Sequence, residues 1–449
     1  MAIFKLHKGL DIRLNGVAAT KKGKIQGGDT DTYGLVPDDF GGIMPKVVVR
    51  EGDTVKAGDF LFVDKRFPEV GFASPVSGVV TSVLRGDRRK LLCVKVKADS
   101  KQVYKEFGVK NVSKMTAHDV RSLLMDAGLF GYIKQLPYAV SAEPASTPKA
   151  IFVSAFRDMP LSADFDYELE GNEDDFQTGL TALSRMAKTY LGVSPRSAAR
   201  LTEMKDVEVN VFDGPCPSAN VGVQVNHISP VNKGEVVWTV DPTAVIFFGR
   251  LINTGKVDLR KTVALAGSEV NDPCYYDVLV GQPLSGILAE QIDGNANNRI
   301  INGNPLTGRL SNMDDFVGPH TSEVCVIPEG NDRDELLGWI MPRLSEFSVN
   351  RSYFTWMQGK RGYTLDARVK GGERHMIMSG EYDKVLPMDI YGEYLIKALI
   401  AGDIDKMEQL GIYEVSPEDF AVAEFICSSK MELQRIVREG LDMLRKENA

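Results

Sequence analysis

Cys216 and His227 are the pair of residues whose types most directly suggest covalent chemistry. A cysteine attacks as the thiolate when a histidine removes its proton, and His227 is the histidine nearest to Cys216 in the sequence. Two prolines, Pro215 and Pro217, flank the cysteine and favour a rigid turn around it. We therefore predict that Cys216 is structural and that the chain has no catalytic residue of its own.

The sequence also lacks the usual signals for a metal or a nucleotide cofactor. No two cysteines are spaced as CxxC, so neither a zinc ribbon nor a ferredoxin-type cluster is encoded. The predicted strand at residues 150–155 runs into Phe156 and Arg157 without the glycines that cradle a dinucleotide. We predict no metal site and no cofactor bound by this chain. The cysteines are Cys93, Cys216, Cys274, Cys325 and Cys427.

Two segments rich in glycine and aromatic residues could border a flat apolar ligand. They span residues 38–45 and 129–137, and both are predicted to be loops. Such a ligand needs apolar walls and a few donors, and Lys134 or a backbone N–H could supply one. The alternative is two plain loops packed on a core, which is the commoner use of such segments. The candidate residues are Phe40, Gly41, Gly42, Met44, Pro45, Phe130, Gly131, Tyr132, Lys134 and Pro137.

Residues 46–84 carry the pattern around which the chain is organised. Their β-branched runs are closed by Gly-Asp and Pro-x-Ser-Gly turns, which are hairpin signals. The pattern EGDxVxxGDxL…SPVSGVV resembles the barrel-sandwich module of lipoyl and biotinyl carrier domains. Lys65 follows Asp64 as in a lipoyl attachment pair, but the next run is too long and Pro68 constrains it. We predict a rigid scaffold, with a lipoyl or biotin carrier as the alternative.

From residue 150 onward, predicted strands alternate with helices, as in an open α/β sheet. Strands are predicted at residues 207–212, 236–240 and 245–248, and a helix is predicted at residues 174–191.

Helix-start signals occur on both sides of this region. Thr116 and Asp119 form a predicted capping box, so His118 is expected to be a helix-start residue rather than a ligand. Residues 416–419 (SPED) place a cap, a proline and acidic residues at another helix start, in a C-terminal region with helical periodicity.

Residues 262–326 read as strand, turn, strand, turn and short helix, followed by the turn GNPLTG at residues 303–308 and a last strand. This order resembles the small ubiquitin-like SLBB ligand-binding module. His320, in a Gly-Pro-His sequence, is predicted to be a surface loop residue.

The predicted fold class is α+β multidomain. It comprises a barrel-sandwich module (1–100), a Rossmann-like α/β domain without the dinucleotide fingerprint (101–258), an SLBB β-grasp module (259–330), and a linker with a C-terminal helical bundle (331–449). A chain of 449 residues accommodates several such cores.

The net charge of −8 and the absence of a Lys/Arg-rich cluster argue against nucleic acid as a partner. No apolar run approaches the roughly 20 residues that span a bilayer.

Taken together, the modules resemble the A subunits of bacterial sodium-translocating NADH:quinone oxidoreductases. The resemblance covers essentially the whole chain and rests also on residues 8–11 (KGLD), 214–222 and 424–427 (EFIC). The order of modules is also similar to the peripheral subunit of Rnf complexes and to the flavin subunit of respiratory complex I. Those relatives carry cluster cysteines or flavin contacts, whereas Ser428, Ser429 and Lys430 follow Cys427 here.

The resemblance implies a peripheral subunit on the cytoplasmic side of the bacterial inner membrane, in a complex of six different subunits. That complex passes electrons from NADH to ubiquinone or menaquinone and exports Na⁺, with flavins and an iron–sulfur centre in partner subunits. It also implies that this chain supports assembly and the quinone-reducing end, which makes the ten candidate residues quinone-side candidates. The alternatives are a carrier protein and a flavin- or NADH-binding subunit of an Rnf-like complex.

Overall fold

The computed structural model describes residues 1–25, 31–294, 296–331, 343, 346–349, 354–359 and 361–448. Within these ranges the chain forms nineteen strands and twelve α-helices. The strands are β1 (Ala2–Lys5), β2 (Thr32–Leu35), β3 (Pro45–Val47), β4 (Thr54–Val55), β5 (Phe60–Asp64), β6 (Gly71–Ala73), β7 (Gly78–Arg85), β8 (Leu91–Ala98), β9 (Ile133–Leu136), β10 (Val140–Ser141), β11 (Ile151–Ser154), β12 (Thr189–Val193), β13 (Glu208–Asp213), β14 (Val237–Val240), β15 (Arg260–Ala266), β16 (Cys274–Leu279), β17 (Asn298–Asn302), β18 (Arg309–Ser311) and β19 (Glu323–Pro328). The helices are α1 (Ala117–Asp126), α2 (Phe165–Leu169), α3 (Glu173–Met186), α4 (Ala199–Thr202), α5 (Val221–Ile228), α6 (Pro242–Thr254), α7 (Ser285–Leu288), α8 (Tyr382–Val385), α9 (Gly392–Ala401), α10 (Ile404–Gln409), α11 (Ala421–Ile426) and α12 (Leu433–Glu447).

Two small antiparallel sheets build the N-terminal module. One has the order β2-β8-β7-β4 and the other β3-β5-β6. Their facing side chains, such as Phe62 and Phe72, are fully buried and stack at 4.8 Å between ring centroids. Lys65 is exposed in the turn after β5, where the Asp64 carboxylate accepts from the backbone N–H groups of Met44 and Arg66. The turn that carries Lys65 is thus held on both sides.

The largest sheet has seven strands in the order β1-β13-β12-β11-β14-β9-β10. β1, β13, β12, β11 and β14 are parallel, and β9 runs antiparallel to β14. The strand order reverses direction between β11 and β14, because β12 and β13 continue on one side and β14 lies on the other. Open α/β sheets leave a crevice at such a point, outside the carboxyl ends of the strands.

Alternating side chains of the sheet enter two different cores. Ile151 and Val153 face the helices α3 and α6, whereas Phe152 between them faces α5 and the C-terminal helices. The chain after residue 380 is largely helical and packs on this second face. Part of the linker predicted from residue 331 lies outside the described residues.

The third module is a five-stranded sheet in the order β16-β15-β19-β17-β18, with α7 packed against it. Its strands appear in the order that the sequence predicts, with β18 as an additional short edge strand. The turn 303–308 leads from β17 into β18.

Four local predictions are wrong. The helix predicted at residues 174–191 ends at Met186, and its last predicted residues belong to β12, which pairs with β11 and β13. Residues 245–248 are part of α6 rather than a strand, because Asp241 caps the helix through the Thr243 N–H and Pro242 occupies its first position. Residues 133–136 form β9 rather than a loop, because β14 needs a neighbour on its outer edge. His320 is not a surface loop residue, since its ring packs against two buried aromatic rings, as described below.

Candidate functional site

A cleft of about 440 Å³ lies at the reversal point of the large sheet. Its floor is formed by the carboxyl ends of β11 and β14, including Ser154 and Asp241. The turns around β17 and β19 of the SLBB-like module form its roof, and Asp39 and Lys134 line its side. Four separate parts of the chain therefore meet in one concave surface, the usual form of a ligand site.

Buried charges beneath the cleft are largely paired. Arg157 lies 2.9 Å from Glu168 and 3.9 Å from Asp241. Burial lowers the pKa of Arg157, but these two carboxylates outweigh it and raise the pKa overall. Burial lowers the pKa of Lys261 to about 8, and its ammonium donates to the Pro319 carbonyl at 3.0 Å. This network fixes the ends of β11, β14 and β15 relative to one another.

One wall of the cleft combines an ion pair with an aromatic cluster. Asp39 accepts from Arg309 at 3.1 Å, and burial raises the pKa of Asp39 to about 6 although Arg309 opposes the shift. The His320 ring lies 6.0 Å from Phe40 and 5.8 Å from Tyr132. Burial, assisted by Lys134, lowers the pKa of His320 to about 3, so the imidazole is neutral at physiological pH. Among the described residues its Nδ1 has no hydrogen-bond partner.

Asp158 lies toward the other end of the cleft, after β11. Its Oδ2 accepts from the Ser218 hydroxyl at 2.8 Å and from the Ala219 N–H at 2.9 Å. Burial raises the pKa of Asp158, and Asp11 adds to the effect. Its Oδ1 is buried without an N–H or O–H donor among the described residues, and the Cys216 thiol supplies a weak donor to the carboxylate. Such an atom is costly to bury unless something binds to it.

The structure brings the two candidate segments together. The rings of Phe40 and Tyr132 are 5.3 Å apart, and in β10, just beyond the second segment, the Ser141 N–H donates to the Gly41 carbonyl at 2.9 Å. Phe40 and Tyr132 are each only 2% exposed and belong to the core, whereas Met44 is 56% exposed. The segment 38–45 therefore presents a methionine at the surface and keeps its aromatic ring inside.

The remaining candidates occupy different environments. Phe130 and Gly131 are buried in a 3₁₀ turn, and Phe130 packs edge-on against Trp238 at 5.6 Å. Pro137 is buried after β9. Gly42 is exposed and Pro45 half-buried. Lys134 lines the cleft itself.

Helix α12 holds three modules together through one of its faces. Gln434 donates to the Leu306 carbonyl of the SLBB-like module at 3.0 Å. Arg438 donates to the carbonyls of Tyr138 and Ala139 beside β9, at 2.6 and 3.3 Å. Arg445 donates to the Gly42 carbonyl of the barrel-sandwich module at 3.2 Å and pairs with Glu143. Positions 434, 438 and 445 share a helix face, so this one face of α12 connects the three modules that surround the cleft. We call α12 the strap.

Cys216 and His227 take separate structural roles. Burial raises the pKa of the Cys216 thiol, and its sulfur lies 3.6 Å from that of Met159. The His227 Nδ1 is 2.9 Å from the Val223 carbonyl, and its ring packs against Phe4. A buried thiol with a raised pKa is a poor nucleophile.

The sequence-based prediction did not identify Asp158, Asp241 and His320 as cleft residues. A signal was present for the two aspartates, since each follows a predicted strand where an open α/β sheet places its ligands. The sequence carried no such signal for His320, because the aromatic rings that contact it come from residues nearly two hundred or more positions away.

No helix among the described residues is both long and apolar enough to cross a membrane. In the same residues, no cluster of three or more His, Cys, Asp or Glu side chains could hold a metal ion.

Three family models match the chain. The NqrA N-terminal barrel-sandwich hybrid domain matches residues 4–99, the NqrA second alpha/beta domain residues 115–257, and the NQRA C-terminal domain residues 262–312. These matches confirm the predicted barrel-sandwich, α/β and SLBB modules in a mixed α and β protein.

Curated relatives extend the match over nearly the whole chain. The A subunit of the Na(+)-translocating NADH-quinone reductase of Pasteurella multocida (strain Pm70) is 32% identical, covering 98% of this chain and 99% of the relative. The proteins of the same name from Yersinia pseudotuberculosis serotype O:1b and Haemophilus influenzae (strain PittGG) are also 32% identical, over 99% and 98% of this chain.

Among solved structures, an NAD⁺-reducing [NiFe]-hydrogenase in the air-oxidized state matches 52% of this chain and 53% of its own, at 12% identity and a TM-score of 0.34. That likeness is too slight to bear on fold or function. The relatedness over almost the full length is decisive: the chain belongs to the family of A subunits of Na(+)-translocating NADH-quinone reductases.

Proposed function

We propose that the chain is a peripheral subunit of a Na⁺-translocating NADH:quinone reductase, which couples electron transfer from NADH to quinone to Na⁺ export. The observation that carries the proposal is its near full-length relation to A subunits of that name. The partners are the other subunits of a six-subunit complex on the cytoplasmic side of the bacterial inner membrane. Flavins, an iron–sulfur centre and NADH are used by those partners, and ubiquinone or menaquinone is the acceptor.

Within the complex, we infer that this chain supports assembly and the quinone-reducing end without a redox centre of its own. Its division into 1–100, 101–258, 259–330 and 331–449 is part of this proposal, with a Rossmann-like second domain and a C-terminal helical bundle. The strand order β13-β12-β11-β14 supports the Rossmann-like assignment.

We place the quinone side at the surface formed by the two candidate segments. Their direct contact through the rings of Phe40 and Tyr132 and the 56% exposure of Met44 support this placement, since an apolar headgroup or tail needs an accessible apolar contact. Phe40, Phe130 and Tyr132 act behind this surface as its packed support. Lys134 stands apart from them because it lines the cleft.

Photoaffinity labelling of the intact complex with a photoreactive quinone tests the placement. We expect label in peptides that contain residues 38–45 or 129–137, with loss of label when unmodified quinone is added in excess. Met44→Gln should reduce labelling, whereas Met357→Gln, at another exposed methionine, should not. Label found only in other subunits, or unaffected by Met44→Gln, would overturn the placement.

Deletion of the chain tests its role in the complex. We expect loss of assembled complex and of NADH-dependent quinone reduction, both restored by the wild-type chain. A fully assembled and active complex without the chain would overturn the proposed function.

A further inference from the structure

The charges that line the cleft are mostly cancelled by near neighbours. Asp39 is paired with Arg309, and Asp38 with Lys90 at 2.6 Å. Asp241 lies 3.9 Å from Arg157. A ligand that enters the cleft therefore meets the charges that this pairing leaves over, not the total charge of the lining.

Lys134 is the positive charge left over. It lies on β9, and its side chain lines the cleft beside His320. Among the described residues, no carboxylate lies within ion-pair distance of its ammonium. His320 adds an unpartnered Nδ1 at this end. As the Nδ1–H tautomer, the neutral imidazole would donate alongside Lys134 to a single acceptor group.

Three acidic residues that line the cleft are in no ion pair among the described residues: Asp158, Glu323 and Glu418. Glu323 is buried and is already satisfied by the Ala163 N–H and the Ser322 hydroxyl, which leaves Asp158 and Glu418. Asp158 has a buried Oδ1 without an N–H or O–H donor among the described residues, and Glu418 is exposed at the rim of the cleft. Burial raises the pKa of Asp158, so an incoming cation would restore the favourable environment that its carboxylate lost on burial. This end of the cleft therefore favours an ammonium or another strong donor.

The two charged ends belong to neighbouring parts of the sheet. Lys134 on β9 pairs with Thr239 on β14, and β14 pairs in turn with β11, which ends four residues before Asp158. Two strand spacings amount to about 10 Å across the sheet. Both residues line the same cleft of about 440 Å³, which has room for both charged ends of one small molecule.

We propose that the cleft binds a small zwitterion of the short-peptide or ω-amino-acid class, whose charged ends are several bonds apart. Its carboxylate lies on Lys134 and His320, and its ammonium lies on Asp158 and Glu418. The site does not depend on the proposed role in quinone reduction, because it uses the interior of the cleft rather than the surface at Met44. It gives the complex a binding site for a metabolite that is neither electron donor nor acceptor.

Three probes of one length test the assignment on the purified full-length chain by calorimetric titration. 6-Aminohexanoate carries both charges, hexanoate only the negative one and hexylammonium only the positive one. We expect 6-aminohexanoate to bind at least tenfold more tightly than either singly charged probe. Equal binding of hexanoate or of hexylammonium, or no binding of any probe, would overturn the proposal.

Variants identify the two ends. Lys134→Met and Asp158→Asn should each weaken binding of 6-aminohexanoate at least tenfold, whereas Lys149→Met, whose ammonium pairs with Glu235 away from the cleft, should not. Because Asp158 also holds Ser218 and Ala219, the exposed rim variant Glu418→Gln serves as a second test that leaves the buried contacts intact. We expect at least a threefold weakening from it, and an unchanged affinity in both acidic variants would overturn the assignment. Quinone labelling is measured separately, so either proposal can fail without the other.

Discussion

The guanidinium of Arg438 donates to the backbone carbonyl of Tyr138 at 2.6 Å, across 300 positions of sequence. The same guanidinium reaches the Ala139 carbonyl, and both of these residues have positive φ, at 84° and 49°. Residues other than glycine adopt this conformation at a cost, so the turn depends on outside support. Helix α12 supplies that support to the turn that connects β9 to β10.

Replacing Arg438 with Met should therefore destabilise the chain by about 2–3 kcal/mol, because two carbonyls lose a charged donor. Urea unfolding of the purified chain measures the change. Arg435→Met on the same helix is the matched control, since Arg435 is exposed and, among the described residues, its ion pairs are with Glu432 and Glu439. We expect less than about 0.5 kcal/mol from it. Equal effects of the two variants would contradict the strap function of α12.

Asp39 should make stability depend on pH. Its pKa is about 6 in the folded chain, against a reference value of 3.8. Between these values the folded chain retains a proton that the unfolded chain releases. The free energy of unfolding should therefore fall as pH rises from about 4 to about 6, by up to about 3 kcal/mol, and change no further from this source above that range.

Asp39→Asn should flatten this part of the curve, since the amide still accepts from Arg309 but does not titrate. Asp38→Asn, at the exposed neighbour that pairs with Lys90, should keep most of the dependence, because burial is the main cause of the raised Asp39 pKa and the Asp38 charge only adds to it. Unfolding midpoints measured from pH 4 to pH 7 provide the comparison. Parallel curves for the wild type and Asp39→Asn would show that Asp39 does not carry the dependence.

Substitutions of Phe40 and Met44 should differ in their effect on stability, because Phe40 is packed in the core and Met44 lies at the surface. Phe40 is 2% exposed and packs against Phe72 at 4.3 Å, so Phe40→Ala should cost about 3–5 kcal/mol. Met44→Ala should cost less than about 1 kcal/mol because its side chain is mostly in solvent. Thermal unfolding of both variants measures this difference. A large loss of stability from Met44→Ala would show that the Met44 side chain contributes to packing and is not a free surface contact for quinone.

Lys65 should remain unmodified. Its turn is held by Asp64 through the N–H groups of Met44 and Arg66, unlike the freely projecting tip that a swinging arm needs. The intact mass of the chain purified from its native host should equal the mass calculated from the sequence. An added mass that maps to the peptide containing Lys65 would revive the carrier alternative.

Local signals in the sequence predicted the elements that local chemistry determines. The capping box of Thr116 and Asp119 is present at the start of α1, with His118 at the helix start as predicted. The hairpin turns of residues 46–84 likewise formed the barrel-sandwich module. In both cases the deciding contacts lie within a few residues of one another.

The predictions were wrong where contacts between residues far apart in the sequence determine the local structure. An apolar run such as residues 245–248 fits a buried strand or a helix buried on all sides, and Asp241 with Pro242 selected the helix. Residues 129–137 looked like a loop until β14 provided a pairing partner. The cleft was not predictable as a unit, because Asp39, Lys134, Asp158 and His320 come from four segments whose meeting depends on the complete fold.

The strap has a consequence for synthesis of the chain. Helix α12 follows the barrel-sandwich, α/β and SLBB-like modules in the sequence, so these modules can fold earlier in synthesis but are fastened to one another only after α12 has left the ribosome. A product that stops before Leu433 would contain every residue that lines the cleft and yet lack the three donors that hold the surrounding modules in place. The joining of the three modules thus depends on a fifteen-residue helix that is synthesised after all of them.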